Sequence, residues 1–201
     1  MLTGRQRLWA EAAVFGGLWG AVEITVGGFL HLLRVPLCGV LMAAGEAGFL
    51  VAVRQISQRR GTVLGVAAVA ALVRGLTPVG AFFTPMVGIF AAGALVELSF
   101  LLLPGRVLPV VVGSALCPLW SVVQYVLHQL LLFGARIWQL YELAYRGMQR
   151  SVGESLAGAS LIAPILFLAA LGALCGLWGM RLGSLARARL SCVDREAGGE
   201  R

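Results

Sequence analysis

Residues 12–46 read AAVFGGLWGAVEITVGGFLHLLRVPLCGVLMAAGE. The stretch opens with two rows of small residues at four-residue spacing, Ala12, Gly16 and Gly20 in one row and Ala13, Gly17 and Ala21 in the next. On a helix the two rows form one flat strip, which lets a second helix approach closely in lipid. Beyond the strip come a carboxylate at Glu23, a loosening at Gly27-Gly28, and a polar end at His31, Arg34 and the Pro36 turn. One helix thus offers a packing or docking face at one depth and polar chemistry at another.

The composition of the whole chain places that helix in a membrane. Of 201 residues, 59% are hydrophobic and 12% charged, with a mean hydropathy of +0.90. A soluble domain of this size has no use for so much apolar surface, because too few polar residues remain to cover it. The apolar runs are long and do not alternate, which excludes barrel strands and predicts an all-α integral membrane protein, a compact bundle of transmembrane helices. The expected spans are six, at about 8–33, 36–54, 62–76, 83–103, 108–133 and 155–180. Residues 1–184 then make one transmembrane domain, and the polar, Gly-containing stretch 185–201 reads as a disordered tail. Arg5 and Arg7 lead directly into the first span with no cleavage site, so no removable signal is expected.

All sixteen basic residues are Arg. Six spans put both termini on one side. Arg5, Arg7, Arg54, Arg59, Arg60, Arg106, Arg181, Arg187, Arg189, Arg195 and Arg201 then share that side, eleven of the sixteen. This bias predicts that the side is cytoplasmic. The formal charge of +7 is placed at helix ends, which favours topology signals and lipid headgroups over nucleic acid.

With that orientation, the ~1.5 Å rise per residue places Glu23 ~22 Å above the start of the first span and Arg74 ~18 Å above the start of the third. Both fall in the outer half of the bilayer, where they can pair. Ionisable groups inside a membrane pair with one another or line a cavity, so these two are candidates for a solute site or for a structural tie. On the fifth span Trp120, Gln124 and His128 follow at intervals of four and form one polar-aromatic stripe. A lipid-facing Gln is costly, so the stripe is expected to face protein or water. His31 and Arg34 lie at the outer edge, and Trp138 and Tyr141 in the connector form either an aromatic belt or a cover over a site. Glu97 lies deeper, toward the cytoplasm, and Glu46 near mid-membrane.

No catalytic constellation is present: there is no HExxH, DxxD or CxxC, and no phosphate-cradling Gly-rich loop. Gly113-Ser114-Ala115 is an incomplete version of the rhomboid nucleophile turn. Cys38, Cys117, Cys175 and Cys192 are scattered singly, which argues for apolar filler over a metal site or a disulfide framework. No metal or cofactor is expected.

Six spans in about 200 residues, with termini inside and small residues at every fourth position of the first helix, resemble the substrate-binding S component of energy-coupling factor (ECF) transporters. In that family an Ala-xxx-Ala-xxx-Ala signature on the first helix docks on a transmembrane coupling subunit. The matching positions are Ala13, Gly17 and Ala21, with Ala12, Gly16 and Gly20 beside them. The resemblance implies an external first loop, here Arg34-Val35-Pro36-Leu37, that covers a small solute, and a pocket built by later helices and outer loops. It implies uptake of a vitamin-like solute at a prokaryotic inner membrane, with ATPase subunits on separate chains. No vitamin-specific motif names the solute. Two other classes stay open: a structural or assembly protein using the strip for helix association, and a small intramembrane enzyme using Glu23, Arg74 and His128.

Overall fold

The computed structural model describes residues 3–33, 37–76, 83–134, 136, 138–139, 141–143, 146 and 154–199. All elements among these residues are helical: α1 (Gly4–Val22), a π-helical turn (Glu23–Gly27), α2 (Gly28–Leu32), α3 (Cys38–Ser57), α4 (Thr62–Gly75), α5 (Phe83–Leu102), α6 (Leu108–Phe133) and α7 (Glu154–Gly199). Five apolar stretches are long enough to cross a membrane: Gly4–Leu30, Cys38–Ser57, Thr84–Leu102, Leu108–Phe133 and Ile162–Cys192. The protein is therefore an all-α, multi-pass membrane protein. The remaining apolar helix, α4, has 14 residues. Its length of ~21 Å is short of the ~30 Å hydrocarbon thickness.

Helix α1 begins at Gly4, earlier than hydropathy alone places it, because Thr3 and Gln6 form a capping box. Thr3 N–H donates to Gln6 Oε1 at 2.9 Å and Gln6 N–H to Thr3 Oγ1 at 3.4 Å, which satisfies two end donors of the helix. At its other end the loosening expected at Gly27-Gly28 is wider than those two residues. The distortion starts four residues sooner, as the π turn Glu23–Gly27. Within it Thr25 Oγ1 donates back to the Ala21 carbonyl at 2.8 Å. Single π turns of this kind concentrate at functional positions.

In space α1 lies on α4, and α4, α5, α6 and α7 pack in succession. Helix α3 packs against α7, α6, α5 and α4, and so forms the centre of the bundle. Its Ala44, Ala47, Leu50, Val51 and Val53 are buried with Val63 and Val66 of α4, Ala92 and Val96 of α5, and Val110 and Cys117 of α6.

Helix α7 is seated by a glycine ladder. A Cβ on Gly179 would lie 1.9 Å from the Gly48 carbonyl oxygen, and one on Gly176 would lie 2.0 Å from Ser114 Oγ. Gly172 and Gly183 continue the same edge, against Ser114 O and Ala52 O. Only a residue without a side chain lets the backbones come this close, the device that drives helix association in lipid. The helix continues to Gly199, through most of the polar stretch set apart above as a tail.

One end of the bundle, where α1 begins, α3 meets α4, α5 meets α6 and α7 ends, is held by ionic contacts. Arg54 Nη1 lies 3.7 Å from Glu97 Oε1, with both side chains largely buried. The same oxygen accepts the Gly61 N–H at 2.7 Å, and Arg54 Nη1 also donates to the Arg59 carbonyl. The Arg54 guanidinium lies 5.3 Å from the Phe100 ring centroid. Ser57 joins Glu11 of α1 to Thr62 of α4, and Arg59 Nη1 donates to the Gly4 carbonyl at 2.8 Å. Four helices, α1, α3, α4 and α5, are thereby tied at the Arg-rich end.

Candidate functional site

The polar groups of the opposite half are placed by the π turn. Glu23 is its first residue and is 8% exposed. Glu23 Oε2 lies 3.3 Å from where a Cβ on Gly27 would sit, with Met42 Cε on the far side at 3.6 Å. The carboxylate therefore folds back along its own helix into room that Gly27 leaves. Arg74, near the end of α4, is close enough to act on Glu23 electrostatically, and so is the Trp19 indole one turn earlier on α1. Trp19 is itself fixed by stacking on Phe49, with ring centroids 5.0 Å apart and planes 24° apart. Helix depth offers Glu23 and Arg74 as a pair, and the packing of α1 on α4 puts them on neighbouring elements.

Glu46 enlarges the cluster. It sits on α3 with 2% exposure, feels the Glu23 charge, and its Oε1 has no hydrogen-bond partner among the described residues. The Trp19 Nε1–H is likewise buried without a hydrogen bond of regular geometry. Two carboxyls, one guanidinium and an indole N–H from α1, α3 and α4 therefore share one interior region. Desolvated groups of this kind are costly without partners or a ligand. Depth along the sequence places Glu46 near mid-membrane without joining it to the site. Nothing local to α3 says which neighbour it meets.

The stripe on α6 closes on α5. His128 Nδ1 lies 3.1 Å from Thr84 Oγ1, and Gln124 Nε2 donates to the Thr84 carbonyl. Gln124 Oε1 lies 2.8 Å from the Cβ position of Gly88, so Gly88 makes room for the carboxamide. One turn of α5, Thr84 to Gly88, thus receives both polar residues of the stripe. Trp120 is half-buried, and its Nε1 has no partner among the described residues. Trp138 and Tyr141 are helical and exposed, at 67% and 41%. His31 is the fourth residue of α2, and Arg34 lies outside the described residues.

The two small-residue rows of α1 separate cleanly. Ala12, Gly16 and Gly20 are buried against α4. A Cβ on Gly16 would lie 2.6 Å from Val69 Cβ and 2.7 Å from the Val66 carbonyl, and one on Gly20 would lie 2.7 Å from Val73 Cβ. Ala12 Cβ lies 3.2 Å from the Cβ position of Gly65. These three positions, counted above toward a partner, are covered by the protein's own helix. Ala13 and Ala21 are exposed, and a Cβ on Gly17 would meet nothing within 4 Å. The second row is therefore the open one.

Ser114 is fully buried beneath Gly176 of α7, which accounts for the Gly113-Ser114-Ala115 sequence as a packing seat. All four cysteines are free, with Cys38 and Cys117 buried. Among the described residues no group of three His, Cys, Asp or Glu side chains is placed to hold a metal ion. No family model, curated protein or solved structure matches the chain.

Proposed function

We propose that the chain is the membrane-embedded solute-binding subunit of an ECF-type uptake transporter. The observation that carries this reading is the division of α1: Ala12, Gly16 and Gly20 are sealed by α4, while Ala13, Gly17 and Ala21 remain open. A small-residue row open to lipid suits close approach by a second transmembrane protein. On this reading the bundle has six spans, α4 included, with both termini in the cytoplasm of a prokaryotic cell.

The solute enters from outside toward Glu23, Arg74, Trp120, Gln124 and His128, with His31, Arg34, Trp138 and Tyr141 at the rim. The transmembrane coupling subunit docks on α1, and separate ATPase chains supply energy. The chain itself performs no chemistry and holds no cofactor. The solute is small and polar enough to answer a buried carboxylate and guanidinium, a vitamin or a vitamin precursor in size.

Native mass spectrometry of protein purified gently from its own membranes tests this. A bound solute lost on Gln124→Leu, together with a membrane partner lost on Gly17→Leu, supports the reading. An empty protein with no partner removes it.

One observation favours a second reading, a structural or assembly protein. Gln124 and His128 are already engaged by Thr84, so the stripe has a role within the bundle without a solute. A scaffold would keep its stoichiometric partner and bind nothing, and would tolerate Gln124→Leu and His128→Leu.

A further inference from the structure

A charged recess lies at the Arg-rich end, away from the proposed solute site. Two adjoining grooves of about 520 and 360 Å³ share Gln55, Arg106 and Arg187. Arg54 completes the first, and Ser184 and Ser191 complete the second. The three arginines come from three different elements: Arg54 from α3, Arg106 from the α5–α6 connection, and Arg187 from α7.

Local backbone geometry gathers them. Gly183 presses α7 onto α3, since a Cβ there would lie 2.6 Å from the Ala52 carbonyl and 2.8 Å from Gln55 Cβ. Arg187 follows one helical turn later, on the same edge, which sets it over the last turn of α3. Gly105, with φ of 87°, reverses the chain between α5 and α6 and delivers Arg106 to the same recess.

Among the described residues the charges there are not balanced. No acidic side chain among those residues lines either groove. Arg54 is answered by Glu97, but Arg106 and Arg187 form no ion pair among the described residues. Two positive charges are left beside a carboxamide suited to anion oxygens. The same elements also expose apolar side chains: Leu102 at 71%, Val107 at 51%, Leu108 at 48% and Leu185 at 62%. A cationic recess flanked by lipid-facing leucines fits a ligand with a phosphate at one end and acyl chains at the other.

We infer that the grooves between α3, the α5–α6 connection and α7 form a binding site for the phosphate of an anionic phospholipid headgroup. Arg106 and Arg187 neutralise the phosphate, and the Gln55 carboxamide donates hydrogen bonds to its oxygens, while the Ser184 and Ser191 hydroxyls donate to the Arg181 and Ala188 carbonyls of their own helix. The acyl chains lie along the exposed faces of α5, α6 and α7. Arg54 helps to hold the recess open from its buried position against Glu97.

The test uses the full chain in neutral maltoside micelles, titrated separately with phosphatidylglycerol and phosphatidylcholine, with bound lipid counted by native mass spectrometry. Phosphatidylglycerol should be retained about tenfold or more over phosphatidylcholine. Arg106→Gln together with Arg187→Gln should weaken its retention about 30-fold, the effect of two headgroup charges. Both side chains are exposed, so the double variant should fold, and unchanged elution and thermal stability would verify that. Arg60→Gln with Arg189→Gln removes the same charge from the same end outside the grooves and should leave retention unchanged.

Equal retention of the two lipids would overturn the inference. So would an equal loss in the control pair, which would mean diffuse attraction to the whole basic end. Displacement of the lipid by millimolar inorganic phosphate, with phosphate itself retained, would assign the recess to a soluble anion and overturn the lipid assignment.

Discussion

Gly16 and Gly17 are neighbours in sequence with opposite environments, and substituting each separates folding from docking. A Cβ on Gly16 would lie 2.6 Å from Val69 Cβ and 2.7 Å from the Val66 carbonyl. Ordinary carbon contacts are ~3.5–4.0 Å, so α1 must retreat from α4 by about 1 Å. Part of the obstruction is backbone, which no rotamer change removes. Gly16→Ala should therefore cost ~1–3 kcal/mol, the range for overpacking a filled interior. At Gly17 the same methyl meets nothing within 4 Å. Gly17→Ala should stay within ~0.5 kcal/mol of the parent, and Gly17→Leu should still fold. Heating each variant in detergent and following the folded fraction by size exclusion reads the stability difference. Co-purification from native membranes then reads docking, which Gly17→Leu should abolish while the parent retains its partner. If Gly17→Ala destabilises the bundle as much as Gly16→Ala, the open row is not open. If Gly17→Leu keeps the partner, the row is not the docking face.

Further outcomes follow from the same contacts. Glu97→Ala leaves Arg54 buried without its counter-charge and should cost ~3–5 kcal/mol in thermal unfolding. Glu97→Gln keeps an acceptor for the Gly61 N–H and should cost less, whereas equal losses would show that the charge is immaterial. Gly179→Ala drives a methyl to within 1.9 Å of the Gly48 carbonyl and 2.7 Å of its carbon. Because both atoms are backbone, α7 should be displaced and proteolysis near its start accelerated; an unchanged digestion pattern would contradict the seating. Gln124→Leu removes one interhelical hydrogen bond and should lower stability by only ~1 kcal/mol. A much larger loss would mean that the stripe holds the bundle together rather than serving a solute.

What the sequence discloses is set by the range of the interaction. The two rows of α1 are legible because small residues repeat at the helical period. Which row faces inward is not, because that depends on Gly65, Val66, Val69 and Val73 of α4, about fifty residues away. Thr3 and Gln6 carry a capping signal three residues apart, yet hydropathy places the start of α1 later because the first turn is polar. The similar depth of Glu23 and Arg74 follows from helix rise, whereas their placement on neighbouring helices depends on the packing of α1 against α4. The π turn does not follow from rise: Gly27-Gly28 reads as the weak point, whereas the backbone departs from α geometry already at Glu23. The glycines of the α7 ladder, Gly172, Gly176, Gly179 and Gly183, stand at spacings of four, three and four, a pattern not singled out in the sequence. Among so many glycines, only the contacts with α3 and α6 single it out. The pairing of Arg54 with Glu97 joins two helices whose ends share no local pattern, and only tertiary structure brings them together.

The contacts of α1 also govern how docking on its open row would reach the interior. The covered row meets α4 with no slack, because at Gly16 and Gly20 even a methyl group would overlap Val66, Val69 or Val73. Close-packed interfaces of this kind move as units rather than deform. At the Arg-rich end the hydrogen bonds of Glu11 and Gly4 tie α1 to the α3–α4 turn, so that end cannot slide independently. A partner that tilts α1 therefore carries α4 with it, and Arg74 travels with Glu23 instead of separating from it. On the proposed reading, docking then transmits a rigid movement of the whole bundle. Local release of a solute has to come from the π turn, where the regular hydrogen-bond ladder of α1 is already broken. Straightening that turn, by making Glu23–Gly27 α-helical, would rotate everything beyond it relative to α4 while leaving the docking row in place. Docking without release is the phenotype that such a variant should show, and release without docking would reverse the assignment of the two ends.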